Sequence, residues 1–337
     1  MKVKASGLAW LLAFAVAGVV LYVRYESVSS ASLPYSTNPP AFSVTYLMGP
    51  GSGAGTTGLA SNLRQSIESD LSAIKDVGFQ GVKLVFSFRN NNIDVRWTAK
   101  SAARLGLYPI GLLAGHNAKI AGQPFSAEEL AEWERFVRDQ VKSTKGYVYF
   151  WEVWNEPDID IFRYGSPEAY VELLKVTYSA IKEENPQAKV VMAIGAADRN
   201  GLEFLRRVLD AGGGRLVDIL GVHPYAANPY IQPEVFEQSL SAVRTLIREY
   251  GDKWPMWVTE IGQPVSEVSD QRRAELAEYV FRRTREEGIP VTWYYFSDKP
   301  LAGTSYSAFG WGLVRSDGTP TPALQAIQEF IKSAGRQ

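Results

Sequence analysis

Two apolar runs in this chain each stop on a glutamate. The first, Tyr147-Val148-Tyr149-Phe150-Trp151-Glu152-Val153-Trp154, is β-branched and aromatic almost throughout and ends in Asn155-Glu156-Pro157. The second, Trp254-Pro255-Met256-Trp257-Val258-Thr259, ends in Glu260-Ile261-Gly262. Such composition suits strands buried on both faces. A plain role for Glu156 would be to cap the following turn; at the end of so apolar a strand the chemical reading is preferred. Two carboxylates with aromatic neighbours suit glycoside hydrolysis, one as proton donor and one as nucleophile or base.

The elements that would position them follow a rhythm of short β-rich runs and amphipathic segments, the pattern of βα units around a parallel sheet. Strands are expected at Ser43–Met48, Gly81–Phe88, Tyr108–Leu113, Tyr147–Trp154, Val190–Ile194, Leu216–Val222, Met256–Thr259 and Pro290–Phe296. Helices are expected at Asn62–Val77, Ala127–Ser143, Pro167–Glu184, Phe236–Tyr250, Ser269–Glu287 and Pro322–Ser333, among others. Ser126 before Glu129 and Ser166 before Glu168 read as helix starts; Gly78, Gly146 and Gly288 read as stops.

Eight strands with a helix after most of them predict an α/β fold, a (β/α)8 TIM barrel. An open doubly wound sheet is the alternative. It would want a phosphate-binding turn, and the glycine-rich stretch Gly49 to Gly58 lacks the Gly-Lys-Ser/Thr ending of a P-loop. That stretch reads as a mobile loop that could close over the site.

In a barrel, function gathers where strands end. The polar residues there are Arg89, His116, Asn155, Glu156, His223, Tyr225, Glu260, Trp293, Tyr295 and Asp298. Glu156 and Glu260 would end strands four and seven, which face each other across the mouth. His116 is expected to reach a sugar hydroxyl. Arg89 reads equally as a mouth residue or plain surface, and Trp311 is the tryptophan expected in the cleft. Glu152, on the interior of the fourth strand, is expected to be a structural charge with a basic partner.

Composition narrows the partners. Of 337 residues, 35 are basic and 36 acidic, a net charge of -1, which points away from nucleic acid or an acidic polymer and toward a neutral partner. Cysteine is absent, which removes disulfides, thiol catalysis and thiolate metal sites. The 2 histidines are too few for a histidine-rich metal centre, although one could join carboxylates in a weak one. Neither metal nor cofactor is expected, and the protein is expected to be a monomer.

Lys2 and Lys4 precede an uncharged apolar run from Gly7 to Val23 that ends at Arg24. Residues 1–24 are therefore expected to be a membrane anchor, with cleavage near Ser29-Ser30-Ala31 as the alternative. Either way the remainder is expected outside the cytoplasm, with 25–40 as a linker and 41–337 as the catalytic domain.

Trp154-Asn155-Glu156-Pro157 together with Thr259-Glu260-Ile261-Gly262 resembles the clan A glycoside hydrolases, retaining enzymes on (β/α)8 barrels. The segment Gly312 to Ala323 is similar to the closing segment of family 39 and family 5 members. The resemblance implies Glu156 as general acid and then base, Glu260 as nucleophile and Asn155 on the sugar 2-hydroxyl. It also implies that His223-Pro224-Tyr225 brings Tyr225 to the nucleophile and that Trp293 floors the cleaved sugar. Glu260 should stay ionised through Tyr225 and a nearby cation, while its charge favours a proton on Glu156. Many members carry an arginine where this chain has Lys83, which keeps the charge and loses the bidentate fork. The competing reading is a surface-tethered barrel that binds glycans without cutting them, in a polysaccharide assembly or processing complex.

Overall fold

The computed structural model describes residues 39–46, 61–90, 92–115, 121–225, 232–298 and 310–334. Within them the strands are β1 (Phe42–Thr45), β2 (Gly81–Ser87), β3 (Tyr108–Ala114), β4 (Phe150–Val153), β5 (Lys189–Ala196), β6 (Ile219–Tyr225), β7 (Met256–Ile261) and β8 (Val291–Trp293). Each pairs in parallel with the next, and β1 closes on β8. The helices are α1 (Ser61–Val77), α2 (Ile93–Arg104), α3 (Ala127–Ser143), α4 (Pro167–Glu184), α5 (Arg199–Asp210), α6 (Pro233–Glu249), α7 (Asp270–Glu286) and α8 (Pro322–Ala334). This is the expected TIM barrel. The glycine-rich loop, the N-terminal run and linker residues 25–38 lie outside the described residues, among which no helix is long and apolar enough to cross a membrane.

Local chemistry accounts for the element boundaries. At α3 the Ser126 hydroxyl accepts from the Glu129 amide while Glu129 accepts from the Ser126 amide, which satisfies two otherwise orphaned donors. The Ser166 hydroxyl caps α4 by accepting from the Ala169 amide. The fourth strand is shorter than expected because Tyr147 and Val148 donate back to the Thr144 carbonyl and belong to the turn after α3. Two helices not named from the sequence, α2 and α5, complete the ring. For α5 the signal was Asp198, whose side chain accepts from the Asn200 and Gly201 amides.

Strand alternation divides the core. Outward residues such as Val82, Leu84, Trp151, Val153, Leu220 and Val222 join the apolar layer under the helices. Inward, Ile110, Phe150, Val191, Ile219 and Trp257 form a separate plug. Further along the same interior stand buried Lys83, Glu152 and His223. So many buried charges in one barrel demand mutual pairing.

Candidate active site

The end of β4 sets the first glutamate. Trp154 and Glu156 both adopt left-handed backbone, at φ 66 and φ 48, where a residue with a side chain costs about 1–3 kcal/mol. The indole of Trp154 is buried and donates to the Phe162 carbonyl, which anchors the bend. Asp158 secures the other side by accepting from the Gly195 amide at 2.7 Å and the Ala196 amide at 3.2 Å. Burial pushes the Asp158 carboxyl up to about 6, against the pull of those amides and with help from the charge of Glu156. Gly195 is glycine because a Cβ there would stand 2.7 Å from Glu156 Cγ and 2.4 Å from Ile159 Cγ1.

The second glutamate owes its direction to a bulge. Val258 pairs with Val291 and Ile261 with Trp293, so β7 spends three residues where β8 spends two. The extra residue interrupts strict alternation and lets Thr259 and Glu260 both serve the interior side. An oxygen of Glu156, an oxygen of Glu260 and a ring nitrogen of His223 all lie within 4.8 Å of one another. Beside them the Tyr225 hydroxyl donates to Glu260 Oε1 at 3.3 Å. Burial first, and then the Glu260 charge, push the Tyr225 hydroxyl well above its ordinary range, so it remains a donor.

Below the pair runs a buried charge network. Lys83 Nζ stands 2.9 Å from Glu152 Oε1, 3.2 Å from the Thr259 carbonyl and 3.8 Å from Glu260 Oε2. His223 Nδ1 is 2.7 Å from Glu156 Oε1, while Nε2 lies 3.5 Å from Glu152 Oε1, an ion-pair contact rather than a hydrogen bond. Burial alone would lower the imidazole's affinity for a proton. The charge of Glu260 and the contacts with Glu152 and Glu156 outweigh it and raise the imidazole to about 10. Glu152 is the mirror case: burial would raise it, but Lys83 and His223 hold it below the usual carboxylate range. The expected basic partner of Glu152 is therefore Lys83. Burial and the charges of Glu156 and Glu152 push Glu260 upward, against the pull of His223 and of Lys83, the cation that stands beside it.

Several expected site residues stand elsewhere. Arg89 has left-handed backbone, φ 61, and turns onto α3, where it pairs with Glu132 at 2.8 Å and Glu129 at 3.6 Å; it does not reach the carboxylates. Trp293 is fully buried on the outer face of β8 against Phe281 of α7 and cannot floor a sugar. The half-buried aromatic by the mouth is its neighbour Tyr294, whose ring meets Trp311 at 5.4 Å. Trp311 also meets Tyr225 edge-on at 6.2 Å. Asn155 is half-buried beside Glu156. His223 is too deep to meet a ligand and acts on Glu156 instead. Tyr295 and Asp298 are buried and bonded to each other at 2.7 Å. His116 lies outside the described residues.

Glu156, His223 and Glu260 are also the residues whose donor atoms could converge on a metal ion. The imidazole is held protonated near neutral pH, so a divalent ion there would first have to displace a proton.

Residues 129–327, more than half of the chain, match the family model of the glycosyl hydrolase catalytic core. Among solved structures the barrel resembles a family 39 glycoside hydrolase from Bacteroides cellulosilyticus WH2, with TM-score 0.64 and 23% identity over 88% of this chain and 64% of that one. It also resembles a monomeric beta-xylosidase from Caulobacter crescentus CB15, with TM-score 0.64 and 20% identity over 86% of this chain and 67% of that one. GH5_18 from Bifidobacterium longum subsp. longum ATCC 55813 aligns with TM-score 0.66 and 14% identity, over 88% of this chain and 80% of that one. At such identities the structural likeness carries the fold alone. No curated protein matches the chain.

Proposed function

The chain belongs to the glycosyl hydrolase catalytic core family, and from that premise we propose that it is a retaining β-glycosidase acting on an oligo- or polysaccharide by double displacement. One observation carries the retaining assignment: oxygens of Glu156 and Glu260 lie within 4.8 Å of one another. Retaining enzymes hold their carboxylates at about 5–5.5 Å, whereas inverting enzymes need about 6.5–9.5 Å to admit a water. The β-configuration follows the clan A resemblance and agrees with the neighbour described as a beta-xylosidase.

The buried charges support a division of roles. In the interior Lys83 stands by Glu152 and Glu260, and His223 by Glu152 and Glu156. Double displacement requires the catalytic pair to share one negative charge and one proton. Glu260 takes the charge, with Lys83 on one side and the Tyr225 hydroxyl on the other. It attacks the anomeric carbon and forms a glycosyl-enzyme ester while Glu156 gives its proton to the leaving oxygen. When the ester removes the charge of Glu260, Glu156 becomes the base for the incoming water. Asn155 is assigned to the sugar 2-hydroxyl, with Tyr294 and Trp311 as aromatic walls.

The apolar run from Gly7 to Val23 behind two lysines supports an extracytoplasmic, membrane-tethered enzyme. Retention of the full chain in alkali-washed membranes, with the barrel open to added protease in intact cells, would bear this out. The test of activity is turnover by residues 41–337 on an aryl β-glycoside and polysaccharide panel, with mass analysis after a 2-fluoro glycoside. Turnover and a label on Glu260 are expected. An unlabelled, inactive protein that still binds glycan would favour the non-cutting alternative, which no observation otherwise supports.

A further inference from the structure

Among the described residues, the most deeply buried cation outside the carboxylate network is Arg273, on α7. Its side chain is 0% exposed, yet its donors go to main-chain oxygens. Nη1 donates to the Gly312 carbonyl at 2.8 Å and Nη2 to the Trp311 carbonyl, while Nε has no hydrogen-bond partner among the described residues. Burial lowers the guanidinium to about 10 against the pull of Asp298, Asp270 and Tyr295, so it stays charged at neutral pH. Taking such a charge from water is costly, and the benefit must lie in what the fork holds.

What it holds is the peptide of one mouth aromatic. From Leu313 onward the closing segment is already pinned: Leu313 and Val314 donate to the Tyr295 and Phe296 carbonyls, and Asp298 donates to Val314. Gly312 is packed so tightly that a Cβ would stand 2.4 Å from the Asp298 amide nitrogen. Trp311 lies just before this ladder, and two successive carbonyls gripped by one planar fork fix the direction in which its side chain leaves the chain. That direction sets the indole edge-on to Tyr225, one ring away from Glu260.

We propose that Arg273 is a positioning residue, holding Trp311 as the stacking wall for the apolar C–H face of the pyranose that Glu260 attacks. The proposal rests on the glycosidase reading for its ligand. A lysine at 273 would keep the charge but could not read two carbonyls in a fixed plane.

The experiment is a double-mutant cycle on the full chain with Arg273→Lys and Trp311→Ala, assayed on an aryl β-glycoside below the melting temperature of every variant. Each single change should lower kcat/KM by roughly ten- to a hundredfold, the cost of a small misplacement. In the Trp311→Ala background, Arg273→Lys should lower it no further. Additive losses, or a fall in melting temperature with unchanged kcat/KM, would overturn the proposal. Arg273→Gln provides a second variant should the lysine form fail to fold. If the wild type turns over no glycoside, the same cycle is read as oligosaccharide affinity by calorimetry, which separates failure of this inference from failure of the enzymatic reading.

Discussion

Lys83 and Glu152 face each other across the barrel interior with Nζ and Oε1 2.9 Å apart and both side chains 1% exposed. A lysine here is a point charge that serves Glu152, the Thr259 carbonyl and Glu260 together. Glu152 in turn faces His223, which holds Glu156. The two carboxylates at the mouth are thereby coupled from below through one buried ion pair.

Breaking that pair from one side should be severe. Lys83→Met leaves Glu152 buried without its cation and is expected to cost about 3–5 kcal/mol. The double change Lys83→Met with Glu152→Leu should recover most of that loss, because both charges leave together, while activity stays low since Glu260 has lost its cation. Urea unfolding and kcat measured side by side check both halves.

The two glutamates should fail differently. Glu156→Ala should lose about 10²–10⁴-fold in kcat on substrates with poor leaving groups, little in the first step on dinitrophenyl glycosides, and should respond to azide. Glu260→Ala should lose nearly all activity on both substrates. Identical behaviour of the two variants would remove the roles assigned to them.

Gly195→Ala tests how tightly Glu156 is seated. The added carbon would meet Glu156 Cβ at 2.8 Å and Ile159 at 2.4 Å, so the β4 loop must shift. A stability loss of about 1–3 kcal/mol is expected, with a larger effect on substrates that need protonation than on activated ones. Leaving-group dependence of kcat/KM in the variant and the parent measures it.

His223 predicts a stability profile on the alkaline side. Its imidazole is raised to about 10 in the fold and titrates near 6.5 unfolded, so between those values the native state holds a proton that the unfolded chain lacks. Stability is then full below about pH 6.5 and falls as pH rises toward 10, at up to about 1.4 kcal/mol per pH unit. Urea midpoints from pH 6 to 10 in the parent and in His223→Gln should show this slope weakened in the variant.

Short local patterns determine some features of this protein and leave others to the packed fold. Asn155-Glu156 and Glu260 were legible because apolar runs of strand composition that stop on a carboxylate repeat at the fourth and seventh positions of a regular βα rhythm, and the barrel topology then opposes them. Caps such as Ser126 with Glu129 were legible for the same local reason. The basic partner of Glu152 could be expected as a type but not named, since Lys83 is 69 residues away in the chain. Which residue of Trp293-Tyr294 meets the mouth was decided by sheet register, because a shift of one residue exchanges the two faces of a strand. The inward turn of Glu260 needed the bulge between Val258 and Ile261. Arg89 followed its left-handed backbone to Glu132, and Arg273, one arginine among several on a charged helix, became a buried clamp only when the closing segment packed over α7. The sequence by itself determined the barrel and the carboxylate pair, since both rest on local composition and order. The tertiary structure alone decided which cations and aromatics serve that pair, since their directions depend on register, bulges and contacts between residues far apart in the chain.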